Sequence, residues 1–106
     1  MVAETQARDI ADRLASGEDM TLLDVREGWE VAHAAMGGIL HIPMGEIVAR
    51  RDEVPKDRPL VCICHHGMRS AQVAGFLEQQ GWQQVENLSG GIDAWSQQVD
   101  SSIPRY

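Results

Sequence analysis

The chemistry this chain can do is concentrated in Leu60-Val61-Cys62-Ile63-Cys64-His65-His66-Gly67-Met68-Arg69-Ser70. An apolar run carries Cys64 to the mouth of a short loop, and the loop closes at Arg69 and Ser70, where a helical pattern begins. Three effects act there on one sulfur. Successive backbone N–H groups of a tight loop can converge into an anion-binding nest. The free N–H groups and positive dipole end of the following helix add to it. A cysteine in such a place is expected to ionise readily, from about 8.5 down into a range of roughly 3.5–7.5. The pattern suits a nucleophilic sulfur that holds an anion.

The neighbours of Cys64 divide by role. His65 and His66 either stand in solvent at the loop tip or line the pocket mouth, adding donors or partial positive charge near the sulfur. Gly67 is expected to take a backbone conformation that a side chain would hinder, and Met68 completes the loop. Arg69 can contact an anionic donor or brace the loop through a carboxylate, and its place on the helix favours bracing. Ser70 can cap the helix or donate to the anion. Cys62 lies inside the apolar run and reads as a small buried hydrophobe. The set Cys62, Cys64, His65 and His66 has no second ligand pair at a zinc-site spacing, with His33 and His41 far upstream, so no metal is expected. Trp29, Trp82 and Trp95 read as packing residues.

These side chains need a framework. Leu60–Ile63 is a continuous apolar run, the mark of a strand covered on both faces. Thr21–Val25 reads as a second buried strand, Ile39–Ile42 as a third and Val85–Leu88 as a fourth. Helical spacing appears over residues 5–16, with Thr5 as N-cap, Gly17 as stop and Asp9 four residues from Arg13. Further helical patterns cover Glu27–Ala35, Met44–Arg51, Arg69–Gln80 and the stretch from Gly90-Gly91 to Gln98. Asp100–Tyr106 reads as a polar tail packed loosely on the surface. Strands alternating with helices imply right-handed βαβ units and a mainly parallel sheet of about four to five strands with helices on both faces. In such sheets ligands bind beyond the carboxyl ends of the strands, where Cys64 falls. Asp24 and Arg26, at the end of a neighbouring strand, are supporting candidates. Asp24 could orient Arg69 or a loop amide or make a local turn contact, and Arg26 could add positive field or face solvent.

Four segments together resemble the single-domain rhodanese-like sulfurtransferases. They are Leu22-Leu23-Asp24-Val25-Arg26-Glu27, Ile42-Pro43, the C-x-x-G-x-R-S stretch from Cys64 to Ser70, and Leu88-Ser89-Gly90-Gly91-Ile92-Asp93-Ala94-Trp95. They occur in the family's order and span residues 20–96. The resemblance implies an α/β three-layer fold over a single domain, residues 1–106. It also implies transfer of a sulfane sulfur from a donor such as thiosulfate to a thiophilic acceptor, cyanide or a thiol, through a persulfide on Cys64. Four residues separate Cys64 from Arg69, whereas cysteine phosphatases of related architecture carry one more. The shorter loop suits one sulfur atom rather than a phosphoryl group. The chain departs from the family at Ala34-Ala35-Met36-Gly37-Gly38-Ile39, where Ala35 takes the usual histidine position and the nearest histidine is His33. A local change in packing is expected there. Two other classes stay open: a persulfide carrier or redox-sensing module without turnover, and a cysteine phosphatase or arsenate reductase relative.

Composition narrows the setting. The 106 residues hold nine basic and sixteen acidic side chains, a formal net charge of −7, which disfavours nucleic acid and anionic membranes as partners. Two cysteines two positions apart make no disulfide framework, and the first residues lack an apolar signal region. The expectation is a cytoplasmic protein without cofactor or metal, a monomer or weak homodimer. Its expected partners are a small sulfur donor and a thiol or protein acceptor.

Overall fold

The computed structural model describes residues 2–106. Five strands form one wholly parallel sheet: β1 (Ala3–Thr5), β2 (Thr21–Asp24), β3 (Ile39–His41), β4 (Leu60–Ile63) and β5 (Val85–Leu88), in the spatial order β1-β5-β4-β2-β3. The helices are α1 (Ala7–Ala15), α2 (Gly28–His33), α3 (Ile47–Arg50), α4 (Met68–Gln79) and α5 (Gly91–Gln98). Every residue of β4 is buried, because the strand sits mid-sheet with cover on both sides. Its side chains alternate accordingly. Leu60 and Cys62 join Leu23, Ile47, Val73, Ala74 and Leu77 in one core, while Val61 and Ile63 join Ala7, Ile10, Leu22, Ile92 and Trp95 in the other. Thus α3 and α4 cover one face and α1 and α5 the other, giving the three layers.

Register brings the chemistry to one edge. Asp24 of β2 stands opposite Ile63, and Cys62 stands opposite Asn87 of β5. The carboxyl ends of β2, β4 and β5 therefore converge around Cys64. Among the described residues no helix is long and apolar enough to cross a membrane.

Several elements differ from the sequence-based expectation. β1 was absent from it: three residues with mixed burial carry no apolar pattern, and their pairing with β5 comes from the far end of the chain. Thr5 is therefore in a strand, its hydroxyl donating to Glu86 at 2.8 Å, and Gln6 holds the N-cap position of α1. Arg13 pairs with Glu18 and Glu86. The helix expected over Met44–Arg51 is broken into a 3-10 turn (Met44–Glu46), α3 and a second 3-10 turn (Arg51–Glu53). Gly45 in its first turn weakens a continuous helix. The tail is anchored rather than loose: Ile103 is buried in the core, and the Ser96 hydroxyl donates to its carbonyl at 2.6 Å.

Candidate active site

The loop after β4 is folded by hydrogen bonds that turn its carbonyls away from the sulfur. The Cys64 carbonyl accepts from the Ile92 N–H at 2.9 Å and the His65 carbonyl from the Asp93 N–H at 3.1 Å, so both face the first turn of α5. Gly91 makes this approach feasible. Its φ is +62°, and a Cβ there would run into both carbonyls. On the other side the Gly67 N–H donates to Cys64 Sγ at 3.1 Å, with Gly67 at φ +101°. A Cβ on Gly67 would lie 3.3 Å from the Gly90 nitrogen and 3.4 Å from the Leu88 carbonyl. Cys64 is 1% exposed at the floor of a pocket of about 210 Å³ lined also by His65, His66, Met68 and Arg69. Cys62 does not reach it. Burial, and then the neighbouring Cys64 charge, push the Cys62 thiol up to about 12, so it stays protonated. A second cleft of about 230 Å³ between α3 and α4 is apolar and holds no nucleophile.

Arg69 braces the loop through Glu30. Its two terminal nitrogens donate to the two carboxylate oxygens at 2.7 and 2.8 Å, a fork-to-fork pair. Glu30 is buried on α2, where it also accepts from the Glu27 N–H in a capping box. The Arg69 hydrogen bonds, against the opposing effect of burial, hold the Glu30 carboxyl down to about 2. The Glu30 oxygen that takes the second Arg69 bond also accepts from the Tyr106 hydroxyl at 2.8 Å. Tyr106 in turn stacks on His65, ring centroids 3.9 Å apart and planes 6° from parallel. His66 covers the other face of His65 at 3.9 Å. Burial and the adjacent His66 lower the His65 pKa, which favours the neutral ring, and His65 Nε2 has no hydrogen-bond partner among the described residues.

Asp24 and Arg26 turn out to be a buried pair. The Asp24 carboxylate accepts from the Arg26 backbone N–H and from its guanidinium at 2.7 Å, a local turn contact, and Glu30 rather than Asp24 orients Arg69. Arg26 does not face solvent; it is fully buried. Its nitrogens also donate to the Ala34 carbonyl at 2.6 Å and the Tyr106 hydroxyl at 2.9 Å. Burial works against that charge, but the Asp24 and Tyr106 hydrogen bonds outweigh it and raise the Arg26 pKa. The guanidinium is thus a structural strut joining β2, the 34–38 turn and the tail. Ala34 and Met36 fill the segment that departs from the family pattern with buried apolar packing, and His33 lies edge-on to Tyr106 at 5.5 Å.

Ser70 is fully buried, its hydroxyl 3.3 Å from Cys64 Sγ and 2.5 Å from the Asn87 amide oxygen. Glu30, Asn87 and Tyr106 are site residues that sequence reasoning missed. Glu30 lies in a weak helical pattern and Asn87 in a short strand, and Tyr106 is in a polar tail; only the topology brings them to Cys64. Asp93 is a fourth. Its carboxylate and the two imidazoles put ligand atoms within 4.8 Å of one another, a set hidden from linear spacing because Asp93 is on α5. The Asp93 oxygens are already engaged by Arg105 and Gln97, each at 2.9 Å.

The fold and site define a class: a parallel α/β protein presenting one cysteine, in a short arginine-closed loop, beyond the central strand. A family model described as "Rhodanese-like domain" matches residues 6–98, and the chain belongs to that family. It is 43% identical over 96 residues to "Sulfurtransferase" of Allochromatium vinosum, covering 91% of this chain and 90% of that protein. It is 34% identical over 82 residues to "Thiosulfate sulfurtransferase GlpE" of Actinobacillus pleuropneumoniae, covering 77% of this chain and 76% of that one. Among solved structures, a rhodanese-related protein from Thermoplasma volcanium superposes with a TM-score of 0.83 at 29% identity, over 92% of this chain and 93% of that chain. These likenesses place the chain in a family of sulfurtransferases.

Proposed function

We propose that this protein moves a sulfane sulfur from a thiosulfate-type donor to a thiophilic acceptor, cyanide in an assay or a thiol in the cell, through a persulfide on Cys64. The observation that carries the reading is the sulfur's setting. Cys64 Sγ is buried at the floor of a small pocket, takes an N–H from Gly67 at 3.1 Å and has the braced Arg69 beside it. The "thiosulfate" in one relative's name agrees with it.

In the first step the Cys64 thiolate attacks the outer sulfur of the donor. A Cys64 Sγ–S bond forms, the donor's S–S bond breaks, and its electron pair leaves with sulfite. In the second, the acceptor's nucleophilic atom attacks the outer sulfur and the S–S pair returns to Cys64 as thiolate. Loop N–H groups from His65 to Ser70 hold the anion through both steps. The pocket's size admits a sulfur atom and a slender acceptor, and His65, His66 and Met68 form its mouth.

Intact mass tests this. Thiosulfate, or failing it mercaptopyruvate or a reactive persulfide, should add one sulfur to the wild type and none to Cys64→Ser, and cyanide should remove it. No added mass with any donor, together with hydrolysis of an aryl phosphate, would replace this reading with the phosphatase-like one. Loading with discharge only to a partner protein would make the chain a carrier.

A further inference from the structure

One hydrogen-bond direction beside the sulfur can be deduced from its neighbours. Asn87 is 1% exposed, and its amide nitrogen donates to the Gly67 carbonyl at 2.9 Å and to the two Glu4 carboxylate oxygens at 3.1 and 3.0 Å. Both partners can only accept, so the amide cannot be turned round. Its oxygen must be the atom 2.5 Å from Ser70 Oγ, and a carbonyl-type oxygen donates nothing. The proton in that contact is Ser70's own. A hydroxyl has one proton, and two acceptors contend for it: the Asn87 oxygen at 2.5 Å and Cys64 Sγ at 3.3 Å. The much shorter contact, to the Asn87 oxygen, holds it. Ser70 then turns a lone pair toward the sulfur. A protonated thiol can donate into that lone pair, whereas a thiolate is repelled by it. The Gly67 N–H, which donates to Sγ at 3.1 Å, acts in the opposite sense.

We propose that Asn87 is a positioning residue that withholds the Ser70 proton from Cys64, so that Ser70 opposes charge on Sγ itself and favours the sulfur-loaded enzyme. The consequence for loading rests on the persulfide reading above; the withheld proton does not. In a persulfide the charge lies on the outer sulfur and Sγ is a neutral divalent atom, so the Ser70 lone pair opposes nothing. Unloading returns the S–S electron pair to Sγ as a thiolate, the form that Ser70 opposes. A leaving thiolate of higher basicity departs more slowly. Asn87 therefore slows discharge to weak acceptors while leaving the loaded state undisturbed.

The test reads the thiolate directly, without sulfur transfer. The rate of Cys64 alkylation by iodoacetamide at about pH 6 is measured by intact mass and peptide mapping in wild type, Asn87→Ala, Ser70→Ala and the double variant. Thermal unfolding confirms that each is folded. Freed of Asn87, the Ser70 hydroxyl can donate to the thiolate, and alkylation should accelerate roughly threefold to tenfold. In the Ser70→Ala background the same Asn87 change should have no effect. Ser70→Ala alone should alkylate at least as fast as wild type, and this result decides the matter if Asn87→Ala does not fold. Equal acceleration by Asn87→Ala in both backgrounds would mean only a loosened loop and would overturn the proposal. So would slower alkylation in Ser70→Ala, which would place its proton on the sulfur already. Persulfide discharge to a small thiol should accelerate in Asn87→Ala by a similar factor. If the wild type never loads, the persulfide reading fails while the alkylation result still stands.

Discussion

Arg69 and Glu30 hold each other through two parallel hydrogen bonds of 2.7 and 2.8 Å, across 39 residues of chain, with Glu30 nearly buried and Arg69 partly exposed. This pair fixes the closing end of the sulfur loop to the helix after β2. Glu30→Gln keeps the shape and removes the charge, leaving the guanidinium without its anionic partner. A loss of about 1–3 kcal/mol in unfolding free energy is expected, with a fall in turnover as Arg69 gains freedom. Urea denaturation and steady-state kinetics would measure both.

The same carboxylate sets an acid limit. Its folded pKa of about 2 lies below its ordinary 4.5. The stabilisation is therefore complete above pH 4.5 and is lost as pH falls toward 2, amounting to about 2–3 kcal/mol at neutral pH. The stability gap between wild type and Glu30→Gln should be constant from neutrality down to about pH 5 and close below about pH 4. A gap that widened on acidification would contradict the assignment.

The two cysteines should separate cleanly. Cys64→Ser is expected to eliminate sulfur uptake. Cys62→Ala should cost about 1 kcal/mol of packing and still gain one sulfur on treatment with a donor. Mass spectrometry on the two variants is sufficient to show it.

Tyr106 links the struts. Tyr106→Phe retains the stack on His65 but deprives Glu30 of a donor and Arg26 of an acceptor, for an expected loss of about 1–2 kcal/mol. Tyr106→Ala also removes the ring on which His65, at the pocket mouth, is stacked. Its KM for bulky thiol acceptors should fall relative to that for cyanide, a selectivity change that Tyr106→Phe should not show.

Gly91→Ala should be the most damaging small substitution. The added Cβ meets the Cys64 and His65 carbonyls at a φ of +62°, and a loss on the order of 3 kcal/mol is expected. The melting temperature of Gly91→Ala, set beside that of an exposed glycine such as Gly28→Ala, would measure the difference.

The parts of this molecule legible in its sequence are those whose causes are local. Leu60–Ile63 announces a buried central strand because a strand covered on both faces needs no polar positions. Cys64, Gly67 and Arg69 announce a tight loop entering a helix. Glu30, Asn87 and Tyr106 were not legible, since each acts on a residue at least 17 positions away. Asn87 meets Ser70 only once β4 and β5 are in register. The burial of Arg26 was not legible for a different reason. A charged side chain at a strand end ordinarily reaches water, and only the combined presence of Asp24, the Ala34 carbonyl and Tyr106 makes its complete burial tolerable. β1 escaped because Ala3-Glu4-Thr5 carries no apolar run, unlike β3 at the other edge.

That edge strand has a consequence for how the protein breathes. β1 is paired on one side alone, to β5, and Ala3 and Glu4 are exposed, so it belongs among the segments whose amides exchange with solvent through small, frequent openings. Each opening withdraws the Glu4 carboxylate from Asn87 and leaves the amide nitrogen with the Gly67 carbonyl alone. An edge strand of the sheet is therefore one side chain removed from the group that governs the Ser70 proton. The contacts from Glu4 through Asn87 to Ser70 thus give an opening at the rim of the sheet a route to the sulfur at its centre.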